Sequence, residues 1–246
     1  MLVEEKPRTY ERQRNADNKD WLFLNLPMME YRQAWDLQSR LVMARKNNVI
    51  DSDILLLLEH PAVFTLGRRG GRENLIVSSE FLDKFGIPVI QIERGGNITY
   101  HGPGQLIAYP IVDLEVARLN VDTYVERLEE TMIRTALNFD VQAHRNPLNR
   151  GIWVGNNKIG SIGIALRKGV SFHGLALNVN LSLEPFTWIN PCGLKNVGVT
   201  SIKKESRQDV TMQVVRHVFI NHFQTVFEIE LVPSSLQEIT RAMTTT

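Results

Sequence analysis

A glycine-rich stretch near the middle of the chain, residues 94–105, constrains the fold more than any other feature of the sequence. Four of these twelve residues are glycine, and most of the others carry hydrogen-bonding side chains. Two apolar runs, residues 87–92 and 106–110, flank the stretch and are typical of β-strands. Because glycine lets the backbone turn sharply or approach a ligand closely, a glycine-rich stretch between strands predicts a binding wall. An ordinary long hairpin loop is the alternative.

The composition is that of an ordinary globular protein and excludes several classes of function. The chain has 246 residues, of which 43% are hydrophobic and 22% charged. A net charge of +1, without a long basic run, argues against a nucleic-acid partner. The longest apolar run, residues 54–58, is too short to span a bilayer, and the charged N-terminus does not match a secretion signal. We therefore expect no nucleic-acid partner, no membrane partner and a cytoplasmic location.

The sequence predicts neither a metal site nor a nucleotide cofactor. Cys192 is the only cysteine, so an internal disulfide and a cysteine-rich zinc site are excluded. His217 and His222 lie five residues apart in a predicted helix and therefore on different faces. The segment 102–107 does not match a dinucleotide-binding fingerprint, and no phosphate-binding loop is present. A reducing compartment fits the single thiol.

Strands and helices alternate irregularly along the chain, which predicts an α+β fold and not a regular βαβ succession. Residues 1–19 are polar, charged and without periodicity, so we expect a mobile tail before a single domain of residues 20–246. The predicted helices are 28–46, 79–85, 121–136 and 208–227, with a short one after residue 235. The predicted strands are 21–26, 54–58, 63–66, 87–92, 106–114, 152–154, 158–166 and 170–181.

Local signals accompany these predicted elements. Asn120 or Asp122 is expected to cap the helix that begins at residue 121, and Ser235 with Glu238 forms a predicted capping box. The segment 155–157 predicts a hairpin turn, and Gly174 is expected to interrupt the last strand.

Cys192 is the candidate nucleophile. It lies in the Asn-Pro-Cys-Gly segment 190–193, a tight polar turn where a thiol can be exposed and backbone N–H groups can point at a developing oxyanion. The alternative is an inert buried cysteine, which is the commoner role of a lone thiol. A thiol with an ordinary pKa of ~8.5 is mostly protonated at neutral pH, so catalysis requires an activating neighbour.

Three residues are candidates for activating this thiol: His101, His173 and Lys158. Lys158 begins an apolar, glycine-rich strand without another charge before Arg167. Its amine is therefore either exposed or desolvated, and desolvation would lower its pKa and let the neutral amine accept a thiol proton. His173 is equally compatible with the role of a satisfied core histidine, and His101 with that of a ligand-positioning one. Periodicity does not choose among the three.

Four motifs, in their order and spacing, resemble the lipoyl-protein octanoyltransferase family. They are RGGNITYHGPGQ, KIGSIGIAL, FHGLALNVN and INPCG, which begin at residues 94, 158, 172 and 189. The resemblance covers residues 20–205 and leaves out the tail and the C-terminal helices. It implies the catalytic-domain fold of biotin and lipoate protein ligases, with mixed β-sheets flanked by helices.

The resemblance also implies an activity. It indicates an acyltransferase that moves an octanoyl group from octanoyl-acyl carrier protein to a lysine of a lipoyl domain, without a cofactor. The acceptors would be the lipoyl domains of 2-oxoacid dehydrogenases and the glycine cleavage H protein, in protein lipoylation and lipoate biosynthesis. Cys192 would carry the acyl group as a thioester, and Lys158 would lower the pKa of its thiol.

The acyl pocket implied by the resemblance draws on three of the motifs. Its residues would be Arg94, Gly95, Gly96, Asn97, Ile98, Thr99, Tyr100 and His101, then Ser161, Ile162 and Gly163, and finally Gly174, Leu175 and Ala176. The small residues among them would leave room for a linear acyl chain. Exposed arginines in predicted loops, Arg68, Arg69, Arg145 and Arg150, are candidates for docking acidic carrier domains.

Three other functions are compatible with the sequence. An ATP-dependent lipoate ligase has the same fold but would adenylate a free acid and need no cysteine. An amidotransferase would move octanoyl between two lipoyl domains with a similar cysteine and lysine. A non-catalytic module would only bind acyl groups or carrier proteins.

Overall fold

The computed structural model describes residues 20–146, 149–190 and 198–244. Within these ranges the chain forms two β-sheets with helices packed against them, so the predicted α+β class is confirmed. The predicted tail, residues 1–19, and the candidate nucleophile Cys192 lie outside the described residues.

The described elements are as follows. The strands are β1 Asp20–Asn25, β2 Ile54–Leu58, β3 Val63–Leu66, β4 Val89–Gln91, β5 Ile98–His101, β6 Gln105–Asp113, β7 His144–Arg145, β8 Gly151–Val154, β9 Asn157–Arg167, β10 Val170–Asn178, β11 Gly198–Val199 and β12 Glu230–Pro233. The helices are α1 Tyr31–Lys46, α2 Ser79–Lys84, α3 Val121–Leu137, α4 Ile202–Glu205, α5 Met212–Phe227 and α6 Leu236–Thr244.

The large sheet has the strand order β12-β1-β2-β6-β10-β9-β8-β7, with β11 beside β9. The β12-β1-β2 pairs are parallel, whereas β2-β6-β10-β9-β8-β7 are antiparallel, so the sheet is mixed. Leu55 and Leu57 of β2 face the core under α3 and α5, whereas Leu56 faces the core under α1 and α6. Both faces of the sheet are therefore covered by helices, which explains the unbroken apolar run of β2.

The small sheet has the order β4-β3-β5 and carries the glycine-rich stretch. Residues 98–101, predicted as part of the loop, instead form β5, which pairs antiparallel with β3. Ile98 and Tyr100 enter the core of this sheet, and that burial stabilises a strand where the glycines on either side suggested a loop. The loop is thereby reduced to two short turns around β5.

Several predicted boundaries are confirmed and others are wrong. The strands at residues 54–58 and 63–66 have their predicted ends. Asn120 caps α3 by accepting from Thr123 N, at 2.8 Å, and the predicted capping box joins Ser235 and Glu238 in both directions. In contrast, α5 begins at residue 212 and not at 208, because Thr211 caps it. The short strands β7 and β12 were not predicted.

Gly174 does not interrupt β10, which runs through it. A Cβ atom at this position would lie 2.2 Å from the carbonyl oxygen of Ala108 on β6. The glycine is required by the close approach of β6 and not by a break in the strand.

Candidate active site

A cavity of about 570 Å³ lies where the glycine-rich stretch meets β9 and β10. Residues of the three predicted pocket motifs form much of its wall. Those that line it are Arg94, Gly95, Gly96, Asn97, Ile98, Thr99, His101, Lys158, Ser161, Ile162, Gly163, Gly174, Leu175 and Ala176. The fold therefore brings together segments that are up to 82 residues apart, from Arg94 to Ala176, around one space.

Tyr100 does not line this cavity, although it belongs to the predicted pocket set. Its ring lies 5.3 Å from Phe64 and 5.5 Å from Phe186, in the core of the small sheet. Side chains alternate along β5, so Thr99 and His101 reach the cavity while Tyr100 turns away from it.

The glycine-rich stretch docks directly onto β9. Gly95 N donates to the carbonyl of Ile164 at 2.9 Å. A Cβ atom at Gly163 would lie 3.1 Å from Gly95 O and 3.0 Å from Arg94 Cδ, so a larger residue there would push the stretch away from the strand. Glycine at 163 thus permits the contact that forms one wall of the cavity.

Arg94 is a buried charge in the cavity wall. Its Nη2 donates to the carbonyl oxygen of Thr65 at 2.7 Å and to Thr65 Oγ1 at 2.9 Å. Its Nη1 donates to Gly95 O at 2.9 Å. These bonds replace water around the guanidinium and hold its position, because a buried charge is tolerated only when it is hydrogen-bonded.

His101 is a neutral member of the same network. Its Nδ1 lies 2.8 Å from Gln105 Oε1, and its Nε2 lies 3.3 Å from Thr65 Oγ1. Burial, together with the nearby charge of Arg94, holds the pKa of His101 well below its ordinary value. The arrangement assigns the proton to Nδ1, with Thr65 donating to Nε2. A histidine held in this way positions its neighbours and does not take up a proton near neutral pH.

Lys158 is buried, with 6% of its surface exposed, so the expectation of a desolvated amine is met and that of an outward-facing one is not. Its Nζ donates to Asn149 Oδ1 and lies 5.3 Å from the centre of the Trp153 ring. The opposite strand makes room for the side chain at Gly151, where a Cβ atom would lie 2.9 Å from Lys158 Cε. Neither Asn149 nor Trp153 was predicted, because nothing in their local sequence marks them.

Cys192 lies outside the described residues, but the residues on either side of segment 191–197 contact the cavity walls. Asn190 N donates to Asn74 O at 2.9 Å, and Asn74 Nδ2 donates at 3.0 Å to the cavity residue Asn97. On the other side, Val199 pairs with Lys158 in a parallel ladder. The chain thus leaves the described structure near Asn97 and returns beside Lys158.

The four arginines expected to dock carrier domains fall into two groups. Arg145 pairs with Glu130 at 2.7 Å, and Arg150 pairs with Glu129 at 3.3 Å. Arg68 and Arg69 are exposed on the turn after β3, and Arg69 reaches the cavity. All four are exposed and Arg150 also lines the cavity, but Arg145 and Arg150 pair with the protein's own carboxylates.

Among the described residues, no cluster of three or more histidine, cysteine or acidic side chains could hold a metal ion. No helix in the described ranges has the length and apolar character that crossing a bilayer requires.

Comparison with known proteins defines the class. In three dimensions the chain is similar to a bi-partite lipoate protein ligase from Thermoplasma acidophilum, with a TM-score of 0.72 over 92% of this chain and 91% of that one. At 18% identity this likeness concerns the fold alone, and it confirms the predicted ligase-like fold. The family model of the lipoyl protein ligase A/B catalytic domain matches residues 30–224.

Curated relatives narrow the class further. The chain is 47% identical over 218 residues to an octanoyltransferase of Desulfotalea psychrophila, covering 88% of this chain and 98% of that protein. It is 45% identical over 216 residues to an octanoyltransferase of Syntrophobacter fumaroxidans, covering 88% and 94%. The chain therefore belongs to the lipoyl protein ligase A/B family and, within it, to the octanoyltransferases.

Proposed function

We propose that this enzyme transfers an octanoyl group from octanoyl-acyl carrier protein to a lysine of a lipoyl domain, through a thioester on Cys192. The acceptors are the lipoyl domains of 2-oxoacid dehydrogenases and the glycine cleavage H protein. The observation that carries the proposal is the buried amine of Lys158, which faces the cavity beside the strand that follows the Cys192 segment. A cytoplasmic location is part of the proposal and is supported by the single thiol.

The reach of the chain is compatible with a Cys192–Lys158 pair. Five residues separate Cys192 from Gly198, and the six Cα-to-Cα steps between them span at most ~20 Å. Gly198 pairs with Asn157, next to Lys158. On the other side, Cys192 is only two residues after Asn190, and two residues span at most about 7 Å. Asn190 is hydrogen-bonded to Asn74, which in turn is hydrogen-bonded to Asn97 in the cavity wall.

Lys158 activates the thiol in one of two ways. As a neutral amine it takes the thiol proton, or as an ammonium it stabilises the thiolate by Coulomb attraction. The protons of such a pair belong to both groups together, since the two titrations are coupled. Burial strengthens either effect, because charges attract one another more strongly away from water.

The transfer then takes two balanced steps. The thiolate of Cys192 attacks the thioester carbonyl of the donor, the acyl group moves to Cys192, and the carrier-protein sulfur leaves and takes up the proton that the Cys192 thiol had given up. The amine of the acceptor lysine next attacks the Cys192 thioester, loses a proton and forms the amide, while the cysteine sulfur leaves. Both steps start from a thioester, so no adenylation is needed and the proposal requires no cofactor.

The cavity supports the binding part of the proposal. Gly163 keeps a side chain out of the space between the glycine-rich stretch and the sheet, and Gly174 adds no side chain to the cavity wall. Ile162 and Leu175 add apolar surface to the same wall, which suits a linear hydrocarbon chain.

Intact-mass measurement after incubation with octanoyl-acyl carrier protein, without ATP, tests the proposal. We expect a gain of one octanoyl group in the wild type, none in Cys192→Ala, and loss of the adduct when a lipoyl domain is added. Dependence on ATP would instead indicate a lipoate ligase, and an adduct formed only from an octanoylated lipoyl domain would indicate an amidotransferase. Complex formation without an adduct would indicate a non-catalytic binding module.

A further inference from the structure

The wall of the cavity contains a histidine whose ring nitrogens make no hydrogen bond with the described residues. His173 lines the cavity and is only 1% exposed. Neither of its ring nitrogens has a hydrogen-bond partner among the described residues. The nearest carboxylate oxygen, Oε2 of Glu93, lies 3.9 Å from Nε2, which is beyond hydrogen-bonding distance. Buried polar atoms nearly always have a hydrogen-bond partner. The ring of His173 therefore faces a place where water or a polar group of a ligand can bind.

The backbone conformation of His173 is also unusual. Its φ is +55°, in the left-handed region that residues other than glycine rarely adopt, although it lies in the middle of β10. Gln38 of α1, itself fully buried, accepts a hydrogen bond from His173 N at 2.7 Å and holds this conformation. Strained backbone that the surrounding structure maintains is concentrated at ligand sites.

The left-handed conformation changes the side of the sheet that His173 faces. Ser171 points toward α3, where its Oγ lies 3.2 Å from the hydroxyl of Tyr124. Simple alternation along a strand would turn His173 to the same side. Its ring instead stacks on Phe172 at 4.8 Å and meets Tyr109 at 6.2 Å, on the side covered by α1.

An ion pair stands behind His173. Glu93 accepts from Arg167 Nη2 at 2.9 Å and from Trp35 Nε1 at 3.2 Å, and none of these three residues lines the cavity. They link β9, α1 and the residue just before the glycine-rich stretch, so the wall behind the histidine ring is supported from three segments.

The register of β9 gives the distance from this wall to Lys158. The Cε atom of Lys158 lies next to Gly151, which pairs with Ser161, whereas His173 pairs with Ile164. The three residues from Ser161 to Ile164 correspond to ~10 Å along the strand, which is a lower limit because β8 and β10 also lie on opposite sides of β9. An extended eight-carbon chain, with bonds of about 1.5 Å, spans about 9 Å.

We propose that His173 is a specificity-determining residue that sets the upper limit on acyl chain length, by closing the inner end of the cavity with a polar ring. The proposal rests on the proposed function, with the acyl carbonyl beside Lys158. A chain of eight carbons ends before the ring and leaves its nitrogens free to bind water. Every further methylene must press against the imidazole and strip it of hydrogen-bonding partners, which opposes binding.

The variant His173→Gly tests this limit with little risk to the fold, because glycine adopts a φ of +55° without strain. We expect the ratio of kcat/KM for dodecanoyl- over octanoyl-acyl carrier protein to rise at least about tenfold, as the unpaired polar ring is removed. His173→Asn tolerates the same backbone and stays polar, so it should relax the limit less than glycine does. Thermal unfolding of both variants checks that the fold is retained.

Lys168→Gly is the matched control. Lys168 also has a positive φ, of +53°, but is exposed in the turn between β9 and β10, and its replacement should leave the chain-length ratio unchanged. An unchanged ratio in His173→Gly, with octanoyl transfer intact, would overturn the length limit and leave the proposed function standing. A wild-type enzyme that transfers dodecanoyl and octanoyl groups equally well would also overturn the length limit, whatever the variants do. A wild type that transfers no octanoyl group would refute the proposed function, and the limit with it.

Discussion

Lys158 Nζ donates a hydrogen bond to Asn149 Oδ1 inside the cavity wall, and this contact fixes where the amine points. The two residues approach each other because β8 and β9 pair closely at Gly151, which leaves space for the lysine side chain. Asn149 is therefore a positioning residue for the amine that the proposed mechanism assigns to thiol activation.

Removing this contact should slow transfer without abolishing it. We expect Asn149→Ala to lower kcat about tenfold to a hundredfold, since a hydrogen bond to a charged group contributes about 1.5–3 kcal/mol. The iodoacetamide reactivity of Cys192 near neutral pH should fall with it, which a purely structural role would not cause. Asn156→Ala, in the turn of the same hairpin, is the control and should behave as wild type. Equal kinetics in both variants would show that Asn149 does not position Lys158.

Replacing the nucleophile should separate binding from transfer. We expect Cys192→Ala to unfold at the wild-type temperature and to bind octanoyl-acyl carrier protein, yet to transfer no octanoyl group, because no other thiol exists in the chain. Transfer assays and a binding titration on the same preparation measure this. Full transfer by the variant would remove the thioester step from the mechanism.

The exposed arginines should govern encounter with the acidic carrier protein. We expect Arg68→Ser with Arg69→Ser to raise KM for carrier protein several-fold and to weaken its salt dependence, since exposed charges are screened beyond ~8–10 Å. The measurement is KM at rising ionic strength.

Arg145 and Arg150 should respond differently from this exposed pair. Both lie within 3.5 Å of Glu129, whose side chain is 1% exposed, so neutralising them would remove two charged partners of a buried carboxylate that keeps its hydrogen bond from Gly151 N. Loss of stability, with KM less affected, is therefore expected. If the double variant of Arg68 and Arg69 has a wild-type KM at low salt, their docking role is refuted.

Buried neutral histidines should make the protein sensitive to mild acid. Burial lowers the pKa of His60 to about 4, and it also lowers those of His101 and His173. Because the unfolded chain binds these protons near pH 6.5 and the folded one does not, stability is full above that pH and declines as the pH falls. We expect His60 alone to account for a loss of about 2 kcal/mol between pH 7 and 5.

Urea unfolding at several pH values measures this loss. A free energy of unfolding that stays constant from pH 7 to 5 would show that the three buried histidines take up protons in the folded state as readily as in the unfolded chain.

The sequence predicted those parts of the fold that depend on local pattern. The strands β2 and β3 have their predicted ends because continuous apolar runs, buried on both faces, leave little choice of boundary. The three pocket motifs also line one cavity, since their glycines allow close approach of backbone wherever the sheet brings them together.

Features that depend on long-range contacts escaped prediction. The strand β5 forms because β3 pairs with it and not because of its own composition. His173 faces α1 only because its backbone is left-handed, a conformation that Gln38 holds from 135 residues away. Asn149 has no local signal, as its role depends entirely on where β8 meets β9.

The pH dependence of Cys192 alkylation tests the Cys192–Lys158 pair most directly. Iodoacetamide reports on one thiol here, because the chain contains a single cysteine. In Lys158→Met, which keeps the length of the side chain and removes the amine, the inflection of the alkylation rate should move up toward the ~8.5 of an unassisted thiol. Octanoyl transfer at neutral pH should fall steeply and recover partly at alkaline pH.

His101→Asn and His173→Asn serve as the comparison and should leave the inflection close to that of the wild type. Burial already keeps both rings neutral, so neither is expected to supply the charge that stabilises a thiolate. An inflection that moves up in Lys158→Met alone is the result expected here. An inflection that moves in a histidine variant and stays in place in Lys158→Met would contradict the Cys192–Lys158 mechanism.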